Sequence, residues 1–253
     1  MGWLMPGVRS QTGYTLIEMV MVVVIIGILS AVAFTSLGRV NEVSRAEETM
    51  QEMDRLAAAI AGDPSLFSGG SRTSFGYVGD IGAFPPNWDA LVARPSGYTT
   101  WKGPYIHDKF TAGSGDSEFK LDAWGREYST PNSIVFSSTG GPAAITRQVA
   151  YTSAELLYNT VYIVFTDIDS DPPGSIQKDS VRFLMTIPDG AGGMATRTKT
   201  ASADGLARFD SIPMGMQTLR VVYVPTHDTL TSSITVMPGH TAYAELHHFD
   251  NLW

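Results

Sequence analysis

The stretch GYTLIEMVMVVVIIGILSAVAF, residues 13–34, decides how the chain begins. From Met19 to Phe34 it holds no charged residue. With residues 14–17 added, the run reaches the roughly 20 apolar residues that a membrane-spanning helix needs. One carboxylate, Glu18, stands near its start. An ionised side chain within a bilayer costs at least about 2.5 kcal/mol, so such a residue points to a function. A secretory signal peptide is one alternative, with an apolar region of about 7–15 residues ending at a small-x-small site. Ser30-Ala31-Val32-Ala33 can be read that way, but the run is long for it and Glu18 would interrupt it. A plain membrane anchor accounts for the length and leaves Glu18 unexplained.

Past the apolar run the helical period continues. Val40, Val43, Met50, Met53, Leu56 and Ile60 recur at spacings of three, four and seven, with charged residues on the other faces. Gly62-Asp63-Pro64 is a stop signal. The pattern predicts one helix over residues 14–61, roughly 70 Å long. Its amphipathic second half must bury an apolar stripe, and a folded head supplies the surface.

A short leader carrying Arg9 and ending in Gly13, followed by Tyr14-Thr15-Leu16-Ile17-Glu18-Met19 and the apolar run, resembles the prepilin class: type IV pilins and the pseudopilins of type II secretion. The resemblance implies cleavage between Gly13 and Tyr14 by a prepilin peptidase, methylation of the new Tyr14 amine, and assembly with like subunits into a helical filament. Glu18 would pair with that amine, an attraction much stronger in a low-dielectric core than in water. The precursor would sit in the bacterial inner membrane and the product in a periplasmic or cell-surface filament. Many pilins carry a proline early in this helix; here none occurs between Tyr14 and Ala61.

Three pieces of the middle segment extend the resemblance to the head of the type II secretion major pseudopilin, over about residues 8–140. They are Trp88-Asp89-Ala90-Leu91-Val92 followed by Pro95; Trp101-Lys102-Gly103-Pro104-Tyr105-Ile106; and Asp122-Ala123-Trp124-Gly125-Arg126-Glu127-Tyr128. Read physically, residues 90–92 suit a short helix. Trp101, Pro104, Tyr105, Trp124, Gly125 and Tyr128 are expected to pack a loop-rich head onto the long helix. A sugar-binding aromatic platform is the alternative. Residues 125–129 and 133–137 read as a hairpin across Thr130-Pro131-Asn132. The insertion TAGSGDSEF, residues 111–119, reads as a surface loop. Secretion pseudopilins usually carry an acidic calcium loop after the last head strand. Here that place holds Ser137-Ser138-Thr139-Gly140-Gly141-Pro142, without a carboxylate. A hard cation wants six to eight oxygens, several charged, so no metal is expected there.

After a connector over residues 148–160, with a helical turn near 154–158, seven short alternating runs follow: 161–166, 181–187, 194–201, 206–210, 217–224, 232–237 and 241–246. Proline, glycine and aspartate turns separate them. The pattern predicts a small antiparallel sandwich. Ala203-Asp204-Gly205-Leu206-Ala207-Arg208-Phe209, Ile212-Pro213-Met214-Gly215 and Leu219-Arg220-Val221 resemble the carboxypeptidase regulatory-like, transthyretin-like family, over about residues 160–249. That implies a structural or adhesive module.

The organisation expected is therefore α+β: a leader (1–13), a long transmembrane and amphipathic helix (14–62), a pseudopilin-like head (63–147), a connector (148–160) and a sandwich (161–253). The chain has 253 residues, a net charge of −8 and no cysteine. Without a basic stretch, nucleic acid is not an expected partner. Asp167, Asp169 and Asp171 invite a calcium reading, but the EF-type pattern fails at Pro172 and Lys178, where glycine and glutamate are required. A looser calcium turn and a solvated turn held by local backbone hydrogen bonds are the two alternatives left there. His240, His247 and His248 are not expected to share a metal. No phosphate loop, nucleophile elbow or zinc spacing is present, so neither an enzyme nor a cofactor is expected. The function expected is a filament subunit, most specifically a secretion pseudopilin supporting protein export. The alternative is a minor pilin or adhesin whose sandwich holds a partner protein or glycan.

Overall fold

The computed structural model describes residues 13–108 and 117–253. Helix α1 spans Leu16–Ala61, two residues shorter at its start than the periodicity predicts. It passes through two units, one ending at Glu47 and the other running from Glu48 to Trp253. In the first unit the apolar side chains from Leu16 to Val32 are exposed, on a helix long and apolar enough to cross a membrane.

In the second unit Thr49, Met53, Leu56, Ala57 and Ile60 are buried, one stripe of the amphipathic period. The helix stops at Gly62, whose φ of +79° a side chain would strain, and where a Cβ would lie 2.2 Å from the Ser74 carbonyl oxygen. Arg72 closes the end: its Nη2 donates to the carbonyls of Ala61 (2.6 Å) and Gly62 (2.9 Å), and its Nε to Ser74 (2.7 Å). A cation at a helix C-terminus also complements the macrodipole.

The head then builds up from short pieces. Strands β1 (Phe67–Ser68) and β2 (Ser71–Arg72) form a two-residue hairpin, and α2 covers Gly76–Ile81. A 3-10 turn over Trp88–Leu91 is capped by Asn87, whose side chain accepts from Ala90 N. Strand β3 (Val135–Ser138) pairs antiparallel with β4 (Ile145–Gln148). This corrects the expected hairpin of 125–129 with 133–137. The amides of Trp124 and Arg126 donate to Asp122, and that of Tyr128 to the Lys120 carbonyl, so this segment is committed to its N-terminal neighbours. The two segments meet at one position: Ser129 N donates to Ser137 O at 2.9 Å, and Ser137 N donates to Ser129 Oγ at 2.8 Å. The loop expected over 111–119 falls partly outside the described residues. Its end is a 3-10 turn, Glu118–Lys120, with Phe119 buried. Trp88, Tyr128 and Phe136 meet edge to face at centroid distances of 5.3–6.3 Å and sit in the head core with Met53, Leu56 and Ile60.

Helix α3 (Ser153–Leu157), capped by Thr152, leads into strand β5 (Asn159–Thr166). A one-turn helix, α4 (Gly174–Gln177), precedes β6 (Val181–Pro188), β7 (Met194–Thr200), β8 (Leu206–Ile212), β9 (Gly215–Tyr223), β10 (Asp228–Val236) and β11 (Ala242–His247). The seven strands from β5 to β11 match the seven alternating runs. They form two sheets, β10-β9-β6-β7 and β11-β5-β8, around one core that includes Ile163, Phe165, Phe183, Phe209, Leu219 and Val236. One pairing departs from the antiparallel expectation: β11 runs parallel to β5. The chain changes sheets through Pro238-Gly239, where Gly239 N donates to Glu155 O and to Asn159 Oδ1.

The sandwich is gripped by the head. Thr99 N and Thr100 N both donate to Gly192 O, at 2.7 and 3.1 Å, and Gly190 N donates to Ile81 O at 2.8 Å. Met214, just before β9, is fully buried in the head core, and its amide donates to Leu156 O.

Candidate functional site

The N-terminal segment starts from Gly13 and Tyr14, both exposed and both outside the helix. The leader residues before them, Arg9 included, lie outside the described residues. Thr15 is the N-cap of α1 and Glu18 its third residue. Thr15 N donates to Glu18 Oε2 (2.9 Å), and Glu18 N donates to Thr15 Oγ1 (3.3 Å). The Thr15 hydroxyl adds a bond to the same Oε2 at 3.0 Å. This is a reciprocal capping box, T-x-x-E, which satisfies two of the four amides orphaned at a helix start. Sequence reasoning read Glu18 as a charge and missed this second role, although the spacing was on the page. Glu18 therefore has an intrachain partner, and Oε1 is left as its other acceptor.

The six residues expected to pack the head separate into groups. Tyr128 is buried, and its hydroxyl donates to Glu52 Oε2 at 3.0 Å. Trp101 and Tyr105 are partly buried against the core; Trp101 Nε1 donates to Ala90 O (2.8 Å), and the Tyr105 hydroxyl to Asp80 Oδ2 (2.7 Å). Trp124 is half-buried and lies so close to Gly140 and Gly141 that a Cβ on either would meet it at 2.8 Å. Pro104 and Gly125 are exposed, so neither packs in the core.

Asp122 holds the 137–142 turn in place. Its carboxylate is buried. Oδ1 accepts from Trp124 N and Arg126 N, and Oδ2 from Ser138 Oγ and Gly140 N. One carboxylate thus ties the 137–142 turn to the preceding loop by four hydrogen bonds, a polar set complete without a cation.

A cleft of about 880 Å³ in the second unit is lined by Glu48, Glu52, Arg55, Tyr105, His107 and Glu118 among others. Burial pushes the Glu52 carboxyl up, opposed by the Tyr128 hydroxyl and reinforced by the charges of Glu118 and Glu48. A carboxyl raised in the folded state binds its proton more tightly there than in the unfolded chain. Stability from this group is full below the usual value of 4.5 and declines as pH rises through the raised one. Glu52→Gln, which keeps the acceptor for Tyr128, is expected to flatten that decline. At pH 7 the variant should gain under about 1 kcal/mol after solvent screening. Urea unfolding at pH 4.5 and pH 7 checks both statements.

The remaining acidic and histidine residues are spread out. Asp167 is buried, while Asp169 and Asp171 are exposed. His247 is hydrogen-bonded to the Thr166 hydroxyl through Nδ1 (2.7 Å), and buried His248 accepts from Asp250 N through its own Nδ1 (3.1 Å).

Compared with known families, residues 8–34 match the prokaryotic N-terminal methylation motif. The chain is thus type IV pilin-like: it carries that motif, then a long apolar helix, then a β-rich region. The motif implies processing by a prepilin peptidase and points to a membrane-anchored precursor. Among solved structures, the chain is similar to the Bacillus anthracis TIE protein, at 15% identity over 43% of this chain and 18% of that one, with a TM-score of 0.32. It is also similar to the dioxygenase domain of a dioxygenase carbohydrate-binding protein fusion from the cellulolytic bacterium Streptomyces sp. SirexAA-E. That likeness has 12% identity over 40% of this chain and 86% of that one, with a TM-score of 0.31. At these scores neither likeness bears on function. No curated protein matches.

Proposed function

We propose that this chain is a non-enzymatic structural subunit of a type IV pilus-like filament, and more specifically a type II secretion pseudopilin that supports protein export. Prepilin peptidase cuts between Gly13 and Tyr14, and the Tyr14 amine is methylated. Glu18 then guides the subunit among its neighbours by pairing with that amine. The observation that carries this reading is Glu18 itself, a carboxylate at the head of a helix whose described apolar side chains up to Val32 are exposed. In a bilayer or filament core that charge demands a partner. The proposed organisation is a leader, a helix, a pseudopilin-like head and a sandwich, divided as the sequence suggests.

Co-expression with a prepilin peptidase tests it. The mass of the purified chain is expected to fall by residues 1–13 and rise by one methyl group. An unchanged mass overturns the reading. Deleting the gene is then expected to trap folded exoproteins in the periplasm; unaffected export removes the secretion role.

A minor pilin or adhesin is the second reading, favoured by one observation on the sandwich. Tyr243, 76% exposed, stacks on Tyr162 at 5.6 Å, and the Arg208 guanidinium lies over Tyr162 from the other neighbouring strand. Such an outward aromatic pair suits display of a binding surface. Low copy number per filament would favour this reading over the first.

A further inference from the structure

We propose that the loop 167–171, at the end of strand β5, is a divalent-cation site of the calcium type, and that the bound ion fastens the segment 248–253 to the sandwich. The loop curls around Asp167. Asp167 N donates to Asp171 O (3.0 Å) and Ser170 N to Asp167 O (3.1 Å). Oδ1 of Asp167 accepts from the amides of Asp169 (3.1 Å) and Asp171 (2.9 Å). That much is ordinary turn chemistry.

The other oxygen is the informative one. Asp167 is 0% exposed, and its Oδ2 is buried with no hydrogen-bond partner among the described residues. A carboxylate oxygen removed from water is costly unless a donor or a cation meets it. Two more carboxylates, Asp169 and Asp171, stand two and four residues on, both exposed, and Asp169 keeps its Oδ1 free of the Asn251 bond made by Oδ2. The donors on offer are oxygens, which select a hard cation over zinc or copper. Among the described residues no three acidic or histidine side chains form a ready-made cage. Main-chain carbonyls and solvent must therefore complete the shell around one inward carboxylate. So few fixed charges place the affinity in the weak range of extracellular modules, about 0.1–1 mM.

The segment 248–253 closes over the same loop. Ile168 N donates to Asp250 O (3.4 Å), Asn251 Nδ2 to Asp169 Oδ2 (2.9 Å), and Trp253 Nε1 to Asp171 O (3.0 Å). An ion that fixes Asp169 and the Asp171 main chain also fixes these contacts.

The test uses the full chain in detergent micelles, stripped with a chelator and titrated with CaCl2 or MgCl2 to about 10 mM. Calcium is expected to raise Tm by about 4 °C. Asp167→Asn keeps the turn acceptor but removes the charge, and is expected to abolish the shift. Should that variant fail to fold, the exposed double variant Asp169→Asn/Asp171→Asn is expected to reduce it. Terbium in place of calcium should show emission sensitised by Trp253, lost in Trp253→Phe. The proposal is overturned by no calcium shift, by an equal shift from magnesium, which would mean general screening of an acidic chain, or by an undiminished shift in the aspartate variants. None of these outcomes depends on filament assembly.

Discussion

Replacing Glu18 with alanine is expected to cut incorporation of the chain into filaments by about tenfold or more, with leader removal unchanged. Two unit charges about 4 Å apart interact by about 4 kcal/mol at an effective dielectric constant of 20. Each 1.4 kcal/mol of that is a factor of ten in an equilibrium. The capping box complicates a simple reading, because alanine also removes the acceptor for Thr15 N. Loss of a cap costs about 0.5–2 kcal/mol and acts on the helix start whether or not a filament forms. Two companion variants separate the roles. Glu18→Gln keeps an acceptor without the charge and is expected to incorporate as poorly as alanine. Thr15→Ala keeps the charge, loses the cap, and is expected to incorporate much better. The measurement is the fraction of processed chain in sheared filaments relative to membranes. Normal incorporation of both Glu18 variants would remove the charge from the mechanism.

Asp122→Ala is expected to destabilise the head by about 4 kcal/mol. Four donors, from Trp124, Arg126, Ser138 and Gly140, converge on this buried carboxylate. A buried donor left unpaired costs about 1–3 kcal/mol, and relaxation with water entry recovers part of the total. In a unit of this size the loss corresponds to a fall in Tm of about 10 °C. Asp122→Asn keeps one acceptor oxygen and is expected to cost less than half as much. Denaturant unfolding followed by tryptophan fluorescence reports on the head, since Trp88 packs on Tyr128 and Phe136 and Trp124 lies against Gly140 and Gly141. A fall of less than about 1 kcal/mol in Asp122→Ala would mean the 137–142 turn is held by something else.

The local features were legible in the sequence. The end of α1 was readable at Gly62-Asp63-Pro64 because a helix stop is written in adjacent residues. The strands β5–β11 were readable because alternation between a core face and a solvent face repeats every two residues. What failed was everything set by distant partners. The mate of β3 was misread because the amides of residues 124–128 turn back to Asp122 and Lys120. Nothing in the string Thr99-Thr100 announces a bond to Gly192, and Met214 alternates with no pattern that assigns it to the head core. Nothing in the residues around Arg72 announces that its guanidinium closes the end of α1, eleven residues back. At the N-terminus the misreading was of another kind: the T-x-x-E spacing was visible, but the membrane setting drew attention to the charge of Glu18 alone.

The grip of residues 99–100 on the 188–193 turn, together with Met214 in the head, leaves the sandwich no free swivel. Tethered modules on a filament would form a brush, each pointing where thermal motion sends it. Modules seated at a set angle instead repeat with the pitch of whatever helix their heads follow. Their outer faces would then trace a thread along the shaft, and a partner could meet several copies at regular spacing, by avidity, where a single contact is too weak to hold.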